Sequence, residues 1–171
     1  MNLTSIRKPE EIVTRHFGES LFAARHIFAK GEGGARVIDV GSGPGFPGIP
    51  IKILHPEISL TLIESSHRKA TFLREVCRAL MLDSVDVFAA RAEGFPKGSG
   101  DTVILRAVEK FDSILPIAEG LLGRSGRLVL LVSERQMPRA KCLTDLTWHP
   151  SIPIPLSAAR VLSIGYKSGD I

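Results

Sequence analysis

Residues 37–50 read VIDVGSGPGFPGIP. The stretch opens as a short apolar run of β-branched residues, interrupted by one acid, Asp39. Such a run suits a strand buried on both faces of a parallel sheet. Glycines then stand at 41, 43, 45 and 48, with prolines between them. Glycine at the carboxyl end of a strand permits positive φ and lets a ligand approach the backbone. The spacing separates two ligand classes. A dinucleotide fingerprint, G-x-G-x-x-G, needs glycine at 41, 43 and 46, and position 46 is Phe46. A nicotinamide oxidoreductase is therefore disfavoured.

The residues on either side repeat a strand and helix alternation. Runs at 37–41, 59–63, 85–89, 102–105 and 127–132 are short, apolar and rich in β-branched residues. Helical patterns lie between them, clearest at 67–81 and 111–122. This order predicts a three-layer, Rossmann-like α/β fold with a mostly parallel sheet and right-handed crossovers. Beyond residue 133 a loop and short helix are expected. Residues 151–156 and 160–166 are then expected to pair as an antiparallel edge hairpin, since the prolines of the first suit an edge strand. Residues 9–27 read as one helix or two, with Pro9 at a first helical position and Glu10 and Glu11 at the positive end of the helix dipole. The chain is read as a single domain over 1–171, a helical segment 1–32 preceding a core 33–171.

Its 171 residues suffice for one sizeable core, and 44% apolar with 23% charged residues predicts a soluble globular protein. No run of 18 apolar residues and no secretory h-region is found, so no membrane role and a cytoplasmic location are expected. Cys77 and Cys142 lack metal-ligand spacing and read as free thiols; no metal is expected. The net charge of +4 and pI near 9.3 favour a polyanionic partner only if the basic residues share a face.

The loop G-x-G-x-G, with Asp39 two residues ahead, is similar to the cofactor loop of class I S-adenosylmethionine (SAM) methyltransferases. SAM carries an amino-acid end, which Asp39 and the loop backbone through Gly41, Ser42, Gly43 and Gly45 could meet. Glu64, ending the second strand, is placed to accept ribose hydroxyls, or is a strand-end acid. Arg91, Ala92 and Glu93 follow the third strand, either beside the adenine or as a surface pair. The fourth strand carries no N/D-P-P-Y/F tetrapeptide and no cysteine; it ends in Arg106. No catalytic base is evident, which fits an acceptor with a free lone pair, such as guanine N7. Arg106 reads either as a residue at the reacting end or as a structural ion pair.

At about 100° per residue, Phe72, Leu73, Val76 and Leu80 share the sheet-facing side of the helix from His67. His67, Thr71, Arg74 and Arg78 line the opposite side, with Arg68 adjacent. This is a basic stripe for RNA phosphates or an ordinary solvated face, with Glu75 beside it. Further basic residues, among them Arg7, Arg15, His16 and Arg25, lie near the N-terminus.

Taken together, NLTSIRKPEEIVTRHF at 2–17, DVGSGPGFPGIP at 39–50, FLREV at 72–76, RAEGF at 91–95, LRA at 105–107, QMP at 136–138 and the closing ARVLSIGYK resemble the RsmG (GidB) family. That family methylates N7 of a guanine in 16S ribosomal RNA with SAM. The resemblance places Gly41 and Phe46 against SAM, Ala92 and Glu93 at the adenine and Arg106 near the reacting end. It implies Arg15, His16 and Arg74 on the RNA side, and small-subunit rRNA or the small ribosomal subunit as partner of a monomer. The sequence departs from the family pattern at several points. Met1 directly precedes Asn2 where members carry a further helical segment. S-R-A is Leu105-Arg106-Ala107, D-S is Glu19-Ser20, and Glu134-Arg135 stand where members have Lys-Gly. The alternative expectation is a SAM-binding relative with another acceptor, or without methyltransferase activity.

Overall fold

In the computed structural model, which describes residues 8–28, 34–108 and 110–168, the apolar runs become parallel strands. These are β1 (Arg36–Val40), β2 (Ser59–Ile63), β3 (Val85–Phe88), β4 (Gly100–Arg106) and β5 (Leu122–Ser133). Three more, β6 (Leu146–Trp148), β7 (Ile152–Pro153) and β8 (Arg160–Lys167), run antiparallel at one side. The sheet order is β3-β2-β1-β4-β5-β8-β6, with β7 also on β8. This is the expected mostly parallel α/β fold.

Alternation along each strand makes two cores. Val37, Ile104, Val129 and Leu131 face one side, where they join Ala23, Ala24 and Ile27 of α2 (Glu19–Ile27), Ile49 and Ile51 of α3 (Gly48–Leu54), and Leu73 and Cys77 of α4 (His67–Ala79). Ile38, Val40, Val103, Leu105, Leu128 and Leu130 face the other, against Phe111, Leu115 and Ala118 of α5 (Phe111–Leu121) and Met137 and Ala140 of α6 (Met137–Ala140). Both layers follow from the two-residue period of a strand's side chains.

The N-terminal segment starts as α1 (Pro9–Glu11), with Pro9 in the first turn as expected, and passes through a π-helical stretch, Ile12–Gly18, into α2. The NLT segment and Arg7 lie outside the described residues.

Several boundaries differ from the sequence expectation. β5 begins at Leu122, not residue 127, because Leu122 pairs with Gly100 before the register shifts to Thr102 with Arg127. The glycines of LGRSGR, mostly ahead of the expected strand, allow this close approach: a Cβ on Gly126 would meet the Gly100 carbonyl at 3.1 Å. The expected hairpin pairs only at Ile152 and Pro153, and the edge is shared with β6, whose LTW segment gave no strand signal. α4 stops at Ala79, with Met81 at a φ of 50°, so Leu80 is exposed rather than sheet-facing. Ala70, Leu73 and Cys77 are the buried positions of that helix. At the far end of the sheet the buried Lys52 donates to the carbonyls of Pro56 and Ile58, both at 2.6 Å.

Leu73 is fully buried, and its Cδ2 lies 3.2 Å from where a Cβ on Gly45 would sit. Leu73→Ala should therefore lower stability by roughly 2–5 kcal/mol, through lost burial plus the cavity left behind. Urea unfolding checks this; an unchanged midpoint would show that the glycine loop does not rest on this side chain.

Candidate functional site

The order of the strands reverses between β1 and β4, and there their carboxyl ends diverge into a cleft of about 700 Å³. That is the switch point where open α/β sheets take ligands, and the volume lies within the ~300–1,000 Å³ of small-molecule sites. Gly41, after β1, and Val108, after β4, touch across it: a Cβ on Gly41 would lie 3.0 Å from Val108 Cγ1.

The glycine loop forms one wall. The N–H groups of Gly41 and Ser42 both donate to the Ile63 carbonyl, at 2.9 and 3.1 Å, and tie the loop to the end of β2. Ser42 Oγ donates to the Asp39 carbonyl at 2.8 Å. Gly43 adopts a φ of +55°, and its N–H donates to Glu64 Oε2 at 3.0 Å. Glu64 Oε1 accepts from the Ser66 N–H at 2.8 Å. Glu64 is thus a buried, oriented carboxylate, unlike a solvated strand-end acid. A carboxylate has about four acceptor positions, so two such bonds leave capacity for a ligand.

Asp39 departs from its sequence reading. Strand alternation puts it beside Val37, beneath the loop, where it is buried and does not line the cleft. Its Oδ2 accepts the Gly48 N–H at 3.0 Å, and a Cβ on Gly48 would approach that oxygen to 2.7 Å. Gly48 is therefore required by close approach. Burial pushes the Asp39 carboxyl up to about 7, opposed by the Gly48 N–H and by Arg106. Oδ1 has no hydrogen-bond partner among the described residues. Gly45 is likewise below the surface, packed on Ile49 and Leu73.

The N-terminal helix closes the opposite side. His16 stacks on Phe46, with ring centroids 4.8 Å apart, and Phe17 meets Phe46 edge-on at 4.9 Å. Arg106, at the end of β4, donates to the Arg15 carbonyl at 2.7 Å and to Glu19 Oε2 through Nε and Nη2, both at 3.2 Å. Its Nη2 also lies 3.0 Å from His16 Nδ1. A guanidinium only donates, so His16 Nδ1 accepts and the ring proton sits on Nε2. Burial, and then the Arg106 charge, lower the His16 pKa and keep the ring neutral.

The cleft wall thus brings together Arg15, His16, Gly41, Ser42, Gly43, Phe46, Glu64, Ala92, Glu93 and Arg106. Ala92 and Glu93 occupy a 3₁₀ turn, Ala92–Gly94, seated over the Phe88–Phe95 edge contact. Asp39 and Gly45 support the loop from below, and Arg74 is not at the cleft. Arg74 donates to the Val87 carbonyl at 3.0 Å and borders a separate depression between α4 and β3. Sequence reasoning missed Lys69, Lys110, Ser113 and Arg160, which also line the cleft, and Glu19 behind it. Helical spacing could have found Lys69, in the first turn of α4 just after the Ser66 N-cap. Nothing local distinguishes Glu19 or Arg160, which meet only through the tertiary fold.

The model of the family described as rRNA small subunit methyltransferase G matches residues 1–148. A protein of Roseiflexus castenholzii named ribosomal RNA small subunit methyltransferase G is 37% identical over 169 residues, covering 96% of this chain and 68% of its own length. One of the same name from Caldanaerobacter subterraneus is 45% identical over 112 residues, covering 66% and 44%. The chain therefore spans about half to two thirds of the length of these curated relatives. Among solved structures, M. jannaschii TYW2 in complex with AdoMet superposes with a TM-score of 0.73 at 19% identity, covering 100% of this chain and 81% of its own. That likeness concerns the fold.

Asp39 yields a pH dependence with a definite sign. Its folded pKa, about 7, lies above the ordinary carboxylate value of 3.8, so its contribution is fully present below about pH 4 and is lost as pH rises through 7. The loss should amount to roughly 4 kcal/mol, from about three pKa units. Asp39→Asn keeps an acceptor for Gly48 and does not titrate. Wild type should therefore lose melting temperature relative to this variant between pH 4 and 8; a constant difference would mean that Asp39 is already ionised.

Proposed function

The chain belongs to the rRNA small subunit methyltransferase G family, and we propose that it transfers a methyl group from SAM to N7 of a guanine in small-subunit (16S) ribosomal RNA. The observation that carries this reading is the switch-point cleft, walled by an open glycine loop, the buried Glu64 and the fixed guanidinium of Arg106. We take the N-terminal helix and the sheet as one unit, because Glu19 is ion-paired to side chains of β4 and β8; a cytoplasmic monomer belongs to the same reading.

The residues present fit SAM. Glu64 keeps acceptor capacity for the ribose hydroxyls, and the turn at Ala92–Glu93 offers backbone groups for the adenine edge. Gly41, Ser42, Gly43 and Phe46 frame the amino-acid end. A Cβ on Gly43 would meet no atom closer than 3.9 Å, so the backbone there is open to the cleft. SAM supplies an electrophilic methyl on a sulfonium. The chain's task is alignment, since fixing the reactants in register removes much of the entropic barrier. Guanine N7 carries its own lone pair and needs no deprotonation. The described cleft residues accord with this: His16 is already engaged through Nδ1, and Asp39 is sealed below the loop. Arg106, held by four contacts, is a rigid donor at the acceptor side. Arg15 and His16 would orient the RNA, whereas Arg74 lies away from the cleft and is given no part in binding it.

Transfer of labelled methyl from SAM to small-subunit rRNA from cells lacking this methyltransferase tests the reading. Label at a guanine N7 is expected. SAM binding without transfer would instead point to a relative that uses another acceptor or only binds. Gly43→Val places a β-branched side chain at positive φ and displaces the N–H that Glu64 accepts, so SAM affinity should fall beyond detection in calorimetry. Unchanged affinity would remove the loop from the cofactor site.

A further inference from the structure

Two arginines at the acceptor side of the cleft share a single acid. Glu19 is 3% exposed. Its Oε2 accepts from Arg106 Nε and Nη2, both at 3.2 Å, and from Arg160 Nη2 at 3.1 Å, while Arg160 Nε lies 3.0 Å from Oε1. Arg160 is fixed further by donation to the Leu131 carbonyl at 3.1 Å. Both guanidiniums border the cleft, 10% and 18% exposed. Two cations against one anion leave an excess positive charge at this wall, and Arg15 and Lys110 border the same cleft. His16 is held neutral and so adds nothing to that charge.

Glu19 and backbone carbonyls take up Nε and Nη2 of both guanidiniums, which leaves the Nη1 group of each as a fixed, charged donor in a recess, a pair that suits an oxyanion. Guanine itself is a poorer match. The usual arginine pairing with guanine donates to N7 as well as O6, and a guanidinium on N7 would occupy the lone pair that must attack. We propose that Arg106 and Arg160 form a seat for a phosphate of the acceptor RNA, and that Glu19 is the positioning residue that holds both. Arg160, from the last strand, thereby becomes a substrate-binding residue. This rests on the rRNA reading above.

The test measures affinity for small-subunit rRNA between 50 and 200 mM potassium chloride, a range in which phosphate contacts are lost steeply. Arg160→Gln should bind roughly 10- to 100-fold more weakly at low salt. The slope of log affinity against log salt should flatten by about 0.7, the loss of one contact to single-stranded RNA. Arg124→Gln removes the same charge from an exposed position outside the cleft and should leave the slope unchanged. Glu19→Gln makes the chain more positive, yet should weaken RNA binding as both arginines lose their anchor, with SAM affinity retained. Tighter RNA binding by Glu19→Gln would reduce Glu19 to a simple opposing charge and overturn its positioning role. An Arg160→Gln slope equal to wild type overturns the phosphate seat, as does a wild-type chain that does not bind the RNA at low salt. RNA binding that is normal without methyl transfer overturns the activity reading alone, because the slopes still decide the seat.

Discussion

The carboxylate of Glu19 is the point at which this structure closes. It comes from the N-terminal helix, and it meets guanidiniums from the ends of β4 and β8, which the sheet holds apart with β5 between them. Ion pairs this buried cost heavily to desolvate, and breaking one by removing a partner typically costs about 3–5 kcal/mol. Their value here is geometric. One acid fixes two donors at a cleft wall and pins the helix that roofs the loop. The π-helical stretch follows from the same contacts. Its Arg15 carbonyl faces Arg106 instead of serving the helix alone, and His16 is brought over Phe46. Single π-turns gather at functional sites, and in this one the irregularity is stabilised from outside the helix.

A second constraint works below the loop. Asp39 and Gly48 approach so closely that no side chain fits between them, and the start of α3 is thereby drawn against β1. That brings the intervening residues 41–46 outward over the carboxyl end of the sheet. The upper glycines are then free to present backbone to the cleft, while Gly45 and Gly48 make room for packing. One sequence motif holds glycines with two separate physical duties, and spacing alone does not tell them apart.

The fold was largely legible because its strands are buried on both faces and read as continuous apolar runs between helical periods. The misses have local causes. The start of β5 hides in LGRSGR, where turn-forming residues bulge out of a pairing that resumes beyond them. The outer edge is broken between β6 and β7, each too short to show a period. At the site, the loop, Glu64, Ala92 and Arg106 could be read from their places at strand ends. Asp39 could have been corrected by parity alone, since it shares a face with Val37 and not with the cleft. Glu19 and Arg160 could not be read at all, because their meaning lies in a contact spanning most of the chain.

The cleft is also electrically divided, and the division bears on the proposed chemistry. Glu64 and Glu93 stand on the side given to the cofactor, with Lys69 and Arg91 beside them, whereas Arg106 and Arg160 on the side given to the acceptor share the one acid Glu19. The net positive charge lies on the acceptor side, which draws a phosphate there and repels a sulfonium from it. Methyl transfer to a neutral lone pair moves one positive charge from sulfur to the acceptor without taking up or releasing a proton. A site for that reaction gains nothing from a titrating base and much from fixed charge. His16, held neutral by burial and the Arg106 charge, suits that requirement, and Asp39 lies below the loop and does not line the cleft.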